Sequence, residues 1–370
     1  MRQDSTTSAI LFLATVSAGL LFAAAGVLGG VGGGPSTPTS GGLSLVDGSL
    51  TAEVEDIVEE QHPLRGPAVS LVAAVRYVLF RDATGPAVVG RDGWLFTLEE
   101  FERRPGDDER IARRIDEIGV VAGRLESMGI DLAVVFVPSK ARVFAQRLPV
   151  RWRSLAEHPR LDAAVEELRR RRLTVVDLRD AFGEGVVPSD SGAAGAPLFF
   201  ARDTHWTPEG ARRAAAAVAR EARRAGLAPD ASATDYVRIA GEPAKVPGDL
   251  MSFLPVGRLR AAFGLQVEEA VPARAAPESG STGGAGGLFG QLDVPVALVG
   301  TSYSRDERWG FAEELKLAFD ADVLNVASEG EGPFEPMREY LEGETIRDPK
   351  PELVVWEIPE RYLTLPVSGP

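Results

Sequence analysis

Five short apolar segments rich in valine recur along the chain, and stretches with helical periodicity lie between them. The predicted strands are Leu132–Val137, Leu173–Leu178, Val294–Val299, Val323–Ala327 and Leu353–Ile358. Strands that are apolar on both faces and alternate with helices form parallel sheets covered by helices on each side. We therefore predict an α/β fold built on a five-stranded, mostly parallel sheet. Its ligand site is expected beyond the carboxyl ends of the strands.

The segments between these strands show the recurrence of apolar residues that is typical of amphipathic helices. The predicted helices are Pro67–Phe80, Asp107–Met128, Leu161–Arg171, Pro208–Ala225, Arg305–Phe319 and Glu335–Leu341. Residues 88–96 are interpreted as two short strands around an Asp-Gly turn. The stretch 226–291 has no clear period and is interpreted as an irregular insertion.

The amino-terminal region lacks charge from Ser5 to Val46 and is nearly all apolar from Ala9 to Val31. A helix rises about 1.5 Å per residue, so roughly 20 such residues cross a hydrocarbon core of about 30 Å. This segment is either a retained membrane anchor or a signal peptide cleaved near Ala23–Ala25, and a buried soluble helix is the remaining alternative.

Arg2 precedes the apolar segment and several acidic residues follow it, which favours an exported body. We predict a periplasmic or other extracytoplasmic location, with attachment to the cytoplasmic membrane through this helix. The predicted organisation is a signal anchor or signal peptide at 1–34, a spacer and leading helix at 35–84, and one main domain at 85–365 that includes the irregular stretch 226–291.

Composition excludes several classes of function. The chain has 40 basic and 54 acidic residues, a net charge of −14, which disfavours nucleic acid as a partner. It has no cysteine, so thiol nucleophiles and cysteine-bound zinc are excluded. Of its three histidines, His62 and His158 lie in polar segments and are expected at the surface, which leaves His205. No spacing of ligands predicts a metal site, and no cofactor is expected.

The segment from Asp203 to Gly210 carries the most informative pattern. Thr207 followed by Pro208 predicts the start of a helix, so Asp203 and His205 precede it in extended or turn backbone. In extended backbone, residues two apart point to the same side. The Asp203 carboxylate can then bind Nδ1 of His205 and fix its tautomer. A surface hydrogen bond or half of a metal site is the alternative interpretation.

Ser302 follows the predicted strand that ends at Gly300, and a helix is predicted to begin near Ser304, with a capping box formed by Ser304 and Glu307. A serine in such a turn lies at the carboxyl edge of the sheet, where free N–H groups and the positive helix end are concentrated. It can act as a nucleophile with main-chain donors for an oxyanion. Alternatively, it only satisfies the polar backbone of the turn.

Together these motifs resemble the exopolysaccharide O-acetyltransferases of the AlgJ/AlgX type, in the SGNH (GDSL-like) hydrolase superfamily. The resemblance spans roughly residues 85–365. Its motifs are Gly90–Phe96, Val137–Lys140, Asp203–Ala211, Gly248–Leu250, Gly300–Ser304, Asn325 through Pro333, and Trp356–Arg361. The motif order is permuted relative to the superfamily, the usual Gly-Asp-Ser is Gly300-Thr301-Ser302, and the usual Asp-x-x-His is shortened by one residue.

The resemblance implies a three-layer α/β/α domain and a triad of Ser302, His205 and Asp203. It implies acetyl transfer through an acetyl-Ser302 intermediate to hydroxyls of an exported polysaccharide, with a membrane-embedded acyltransferase as the acetyl donor. Gly330 or Gly332 matches the superfamily's glycine of the oxyanion hole, beside the Ser302 N–H. The alternatives are a carbohydrate O-acetylesterase with the same triad and a non-catalytic polysaccharide-binding scaffold. The acidic surface makes a neutral polymer at least as compatible as alginate.

Four further residues near these motifs are candidates for the site. Lys140 is either a ligand of donor or sugar or a surface charge, and Trp206 either stacks on a sugar ring or packs in the core. Tyr303 is expected to shape the pocket. Arg361 is a candidate substrate ligand, or it forms a structural ion pair with Glu357.

Overall fold

The computed structural model describes residues 65–183, 196–229, 235–278 and 294–365. The predicted amino-terminal anchor or signal segment lies outside these residues, as does His62. The described residues form two compact units, residues 65–75 with 256–259 and residues 76–255 with 260–365. Within the described ranges, no helix combines the length and apolarity that crossing a membrane requires.

The strands and helices are numbered here in chain order. The strands are β1 (Ala87–Val89), β2 (Leu95–Thr97), β3 (Asp131–Val137), β4 (Thr174–Asp177), β5 (Tyr236–Ala240), β6 (Ala244–Val246), β7 (Glu268–Ala270), β8 (Ala273–Pro277), β9 (Val296–Val299), β10 (Val323–Asn325) and β11 (Leu353–Pro359). The α-helices are α1 (Arg65–Val75), α2 (Asp107–Ser127), α3 (Lys140–Val143), α4 (Val150–Ala156), α5 (Arg160–Arg170), α6 (Arg179–Phe182), α7 (Pro208–Ala225), α8 (Ser302–Arg305), α9 (Phe311–Phe319) and α10 (Phe334–Glu342).

A five-stranded parallel sheet with the order β10-β9-β11-β3-β4 forms the centre of the larger unit. All five strands lie where the valine-rich segments predicted them, and the α/β fold class is confirmed. Because the strands are parallel, the segments that follow β3, β9, β10 and β11 emerge at one edge. Lys140, Ser302 and Arg361 belong to those segments.

Alternate residues of each strand enter two apolar clusters, one on each face of the sheet. On one face Ala133, Val135 and Val137 of β3 pack with residues of α7 and α9. On the other face Leu132, Val134 and Phe136 pack with residues of α2, α5 and α10. Burial of apolar surface on both faces contributes roughly 25 cal/mol per Å² and explains the continuous apolar strands.

Two stretches differ from the sequence-based prediction. The helix expected over Arg305–Phe319 is divided into α8 and α9, with Gly310 in the left-handed conformation (φ 72°) between them. The stretch 226–291 contains regular structure in its described part, because β5 pairs with β8 and β6 with β7 as antiparallel ribbons. The short strands β1 and β2 form the expected hairpin around Asp92 and Gly93, both at positive φ.

Candidate active site

The turn from Phe199 to Trp206, called here the acid–base turn, carries Asp203 and His205. Phe199 and Trp206 form an antiparallel bridge, and the N–H of Phe200 donates to the carbonyl of His205 at 3.2 Å. Thr207 then caps α7 by accepting a hydrogen bond from the Gly210 N–H at 3.2 Å, which confirms the predicted helix start. The acid–base turn is therefore fixed by hydrogen bonds between its two ends and by the capped helix that follows it.

The structure brings the three predicted side chains together. Nδ1 of His205 lies 2.6 Å from Oδ1 of Asp203, and Nε2 lies 2.7 Å from Oγ of Ser302. The His205 side chain is 14% exposed and Ser302 is half-buried, so neither residue is sealed in the interior. With the Nδ1 proton directed at the carboxylate, Nε2 is free to accept the Ser302 hydroxyl proton.

Asp203 is held as an ionised acceptor. Its carboxylate accepts hydrogen bonds from the main-chain N–H groups of His205 and Asp249, both at 3.0 Å. Burial opposes ionisation of Asp203, but these bonds and the His205 ring lower its pKa to about 2. The carboxylate is thus charged at neutral pH and fixed in orientation.

Glu357 supports the turn that carries Ser302. This glutamate is fully buried and accepts hydrogen bonds from the Thr301 N–H at 2.8 Å, the Thr301 hydroxyl at 3.0 Å and the Ser304 hydroxyl at 3.0 Å. Burial raises the pKa of Glu357 above its ordinary value, and these hydrogen bonds offset only part of the effect. A Cβ at Gly300 would lie 2.5 Å from Oε2 of Glu357, so only glycine fits there.

The expected capping box is wrong. Thr301 is the N-cap of α8 and accepts from the Tyr303 N–H at 3.3 Å, while the Ser304 hydroxyl donates to Glu357 instead. The helix therefore starts two residues earlier than expected, directly at Ser302. This places the serine N–H in the first turn of a helix, where it has no intrahelical acceptor.

The segment after β10 carries the two predicted oxyanion glycines. The Ser328 N–H donates to the Gly300 carbonyl at 3.2 Å, which ties this segment to the turn of Ser302. Gly330 and Gly332 both have positive φ (84° and 70°). A Cβ at Gly330 would meet no atom within 4 Å, whereas one at Gly332 would approach the Tyr362 ring at 2.9 Å. Gly330 is therefore the more open of the two candidates.

Two aromatic rings hold the His205 imidazole. The Tyr303 ring is tilted against it at a centroid distance of 4.9 Å, and the buried Trp309 ring stacks on it at 5.2 Å and 21°. The Tyr303 hydroxyl donates to the carbonyl of Thr204 at 2.5 Å, which ties the two halves of the site together. Tyr303 thus lies against the histidine, and its role in shaping the pocket stays a prediction. Sequence reasoning missed Trp309.

Trp206 and Arg361 have structural positions rather than the substrate contacts considered for them, and His158 also lies elsewhere than expected. Trp206 is fully buried and donates from Nε1 to the Tyr303 carbonyl at 3.1 Å, so it cannot stack on a sugar. Arg361 pairs with Glu99 at 3.2 Å and not with Glu357, and its guanidinium is 3.5 Å from the Tyr303 hydroxyl. His158, expected at the surface, is buried and accepts from the Arg160 N–H at 3.1 Å.

Neither interpretation of Lys140 is correct. The residue is only 1% exposed, so it is not a surface charge. Its Nζ donates to three main-chain carbonyls, those of Leu95, Ala201 and Asp203, which leaves no donor for a sugar or an acetyl group.

Sequence reasoning also missed several buried carboxylates at this edge. Glu100 accepts from the N–H groups of Lys140 and Ala141 at 3.0 and 2.9 Å, and Glu360 accepts from the Ser139 N–H at 2.9 Å. Glu360 belongs to the motif Trp356–Arg361, but no local feature of the sequence distinguishes it from a surface glutamate. These acids satisfy N–H groups at the start of α3, which would otherwise be buried without acceptors.

Asp203, His205 and Asp249 offer donor atoms within 4.8 Å of one another, the spacing of a possible metal site. The geometry already explains this cluster without an ion. Nδ1 of His205 is bound to Asp203 and Nε2 to Ser302, while the Asp249 carboxylate accepts from the Thr204 N–H at 2.8 Å. A cation would have to displace the shortest of these contacts.

A parallel α/β sheet with a serine, a histidine and an aspartate at its carboxyl edge is typical of SGNH hydrolase-like domains. Residues 87–360 match the family described as "SGNH hydrolase-like domain, acetyltransferase AlgX", and the chain belongs to this family.

Within this family, the chain is similar to several individually named proteins. The chain is 36% identical to "Probable alginate O-acetylase AlgJ" of Pseudomonas aeruginosa, over 90% of this chain and 84% of that protein. The O-acetyltransferase domain of Pseudomonas putida AlgJ superposes with a TM-score of 0.63 at 33% identity, covering 76% of this chain and 92% of that one. Pseudomonas aeruginosa AlgX, at 24% identity and a TM-score of 0.55 over 74% of this chain and 62% of that one, shares the fold.

Proposed function

We propose that this protein transfers an acetyl group to hydroxyls of an exported polysaccharide through an acetyl-Ser302 intermediate. The observation that carries the proposal is His205 bridging Asp203, at 2.6 Å, and the hydroxyl of the half-buried Ser302, at 2.7 Å. Membership of an acetyltransferase family supports acetyl as the group transferred.

In the first half-reaction, Nε2 of His205 accepts the Ser302 proton while Oγ attacks the acetyl carbonyl. The carbonyl oxygen becomes an oxyanion, and the Ser302 N–H at the start of α8 is positioned to donate to it. We propose the main-chain N–H of Gly330 as the second donor to this oxyanion. Collapse of the tetrahedral intermediate breaks the bond to the donor, whose leaving oxygen takes the proton from the imidazolium.

In the second half-reaction, His205 takes a proton from a sugar hydroxyl whose oxygen attacks the acetyl-serine carbonyl. The Ser302 oxygen leaves with the proton that the imidazolium returns, and the sugar ester is released. Asp203 remains ionised in both halves and stabilises each imidazolium. Because water competes with the sugar, transfer requires a surface that holds the sugar next to Ser302.

The acceptor that we propose is an alginate-type polymer, because relatives that share about a third of the sequence are named alginate O-acetylases. On the basis of net charge a neutral polymer was considered at least as compatible as alginate, and the names of these relatives now favour alginate. We further propose that the body is exported, attached to the membrane through the amino-terminal apolar segment, and acetylated by a membrane-embedded acyltransferase. These last points rest on the amino-acid sequence and on the resemblance.

The decisive experiment is a brief incubation of the protein with an activated acetyl ester, followed by peptide mass spectrometry. We expect one added acetyl group on the peptide that contains Ser302, and none in Ser302→Ala. Ser328→Ala is the matched control, because Ser328 uses only its main-chain N–H near the site. Loss of a triad serine costs up to about six orders of magnitude in kcat. An unaltered rate of acetyl transfer to the polysaccharide in Ser302→Ala would therefore support the non-catalytic scaffold instead.

A second incubation with mannuronate oligomers separates transferase from esterase. Acetylated oligomers are expected. Release of acetate at the same rate with and without oligomer, and no acetylated oligomer, would favour the O-acetylesterase.

A further inference from the structure

Lys140 lies directly after β3 and is buried below the acid–base turn. Its ammonium group donates to the carbonyl of Leu95 at 2.6 Å, of Ala201 at 3.0 Å and of Asp203 at 2.9 Å. An ammonium group has three donors, and all three are used. Two of the three acceptors belong to the acid–base turn, and one of them is the main chain of the triad acid itself.

Burial opposes the charge of the ammonium, and three carbonyls and two aromatic rings, which attract a cation, take the place of water around it. The Trp94 and Phe96 rings lie 5.2 Å from Nζ, and the residue has no direct ion pair among the described residues. Burial lowers the pKa of Lys140 to about 8, and nearby carboxylates counteract only part of this effect, those of Glu100, Glu268, Asp249 and Asp203. A buried charge is a poor source of stability, so its presence calls for another reason.

The acid–base turn is held from two sides. Its carbonyls at Ala201 and Asp203 face Lys140, while its N–H groups at Ala201 and Arg202 donate to the Glu268 carboxylate at 2.8 and 3.0 Å. The carbonyls of Leu95, Ala201 and Asp203 converge on one point, where carbonyl oxygens repel each other unless a cation or another donor lies between them. The Ala201 carbonyl also accepts from the Leu95 N–H at 2.8 Å, so the ammonium bears most directly on the Asp203 carbonyl, in the residue whose carboxylate faces His205.

We propose that Lys140 is a positioning residue of the triad: its ammonium gathers the carbonyls of the acid–base turn and so holds the Asp203 carboxylate against Nδ1 of His205. It acts through the main chain and does not touch the reacting atoms. The inference deepens the proposed function. Its consequence for the rate of Ser302 acetylation rests on that function, whereas its consequence for the contact between Asp203 and His205 does not.

The test uses Lys140→Met, which fills the apolar space between Trp94 and Phe96 without a donor. Arg114→Met is the matched control, because Arg114 is also a buried cation, 8% exposed, but lies over the Phe334 ring on the other face of the sheet. Lys140→Gln keeps two donors without the charge and serves if Lys140→Met does not fold.

The first readout is the ¹⁵N-histidine NMR spectrum of the full chain. The proton shared between Nδ1 of His205 and Asp203 should give a strongly downfield signal, identified by its loss in His205→Asn. We expect this signal to disappear or broaden in Lys140→Met, to weaken in Lys140→Gln, and to be retained in Arg114→Met. An unchanged signal in a folded Lys140→Met or Lys140→Gln variant would overturn the inference.

The second readout is the rate of Ser302 acetylation by the activated ester. A misplacement of about 1 Å can cost about 100-fold, and we expect a loss of that order in Lys140→Met with the KM for the ester little changed. A Lys140→Met variant as fast as the wild type would refute the positioning role. If the wild type itself is not acetylated at Ser302, the proposed function fails, and the NMR result alone decides the role of Lys140.

Discussion

The substitution Asp203→Asn separates the charge of the triad acid from its shape. Oδ1 of Asp203 faces the ring and main-chain nitrogens of His205, and Oδ2 faces the Asp249 N–H. An amide has one acceptor oxygen, so its NH₂ group must face a donor on one side. If it faces Nδ1, the histidine adopts the tautomer with hydrogen on Nε2, which cannot accept the Ser302 proton.

The expected magnitude follows from the geometry. With the charge centres of carboxylate and imidazolium about 4 Å apart and an effective dielectric constant of about 20, the lost attraction is about 4 kcal/mol. Since about 1.4 kcal/mol corresponds to a factor of ten, the charge alone is worth about three orders of magnitude in the acetylation rate. The unfavourable tautomer adds to this, and the loss of about 10⁴ known for such a change in another serine triad is the upper bound that we expect.

The assay is single-turnover acetylation of Ser302, followed by mass spectrometry at neutral pH. The matched control is Asp249→Asn, because the Asp249 carboxylate is also close to Nδ1 of His205, at 4.0 Å, but is 42% exposed and does not share its proton. We expect the control to lose less than about tenfold, as exposed charge pairs contribute at most about 1 kcal/mol. Equal losses in the two variants, or a loss below tenfold in Asp203→Asn, would refute the reasoning.

Two further substitutions test the supports of the site. Glu357→Ala leaves the buried Thr301 N–H without an acceptor and opens a cavity, so we expect a loss of about 3 kcal/mol in the free energy of unfolding, measured with urea. Glu357→Gln should lose less than about 1 kcal/mol, and equal losses in the two variants would contradict the role of the hydrogen bonds. Trp309→Leu removes the ring stacked on His205, a contact worth about 1 kcal/mol, and should slow acetylation of Ser302 by about fivefold, while Trp309→Phe retains most of the rate. An unchanged rate in Trp309→Leu would show that the stacking is dispensable.

Much of the fold and the separate positions of Asp203, His205 and Ser302 could be predicted from local patterns, whereas only the family resemblance implied that His205 and Ser302 meet across 97 positions. Continuous apolar runs such as Leu132–Val137 predict buried parallel strands wherever they occur. Asp203 and His205 are two residues apart, and the helix start at Thr207 fixed their backbone. The position of Ser302 followed from the end of a strand. None of these inferences requires a contact between distant segments.

What sequence reasoning missed depends on such contacts. Lys140 was expected at the surface or at the substrate, because a lysine after a strand has no local feature that indicates burial. Its carbonyl partner Leu95 lies 45 positions earlier and Asp203 lies 63 positions later. The split of the helix before Phe311 was missed for a related reason, since Trp309 leaves the helical path to reach His205.

The carboxylates of Glu357 and Glu360 reach the site from β11 and the turn that follows it. Glu360 binds a main-chain N–H 221 positions earlier, and Glu357 binds one 56 positions earlier. A ribosome-bound or carboxyl-terminally trimmed chain that stops before Leu353 would contain the complete triad but neither of these acceptors. Such a chain should be unable to orient its serine, which makes completion of synthesis a precondition for activity.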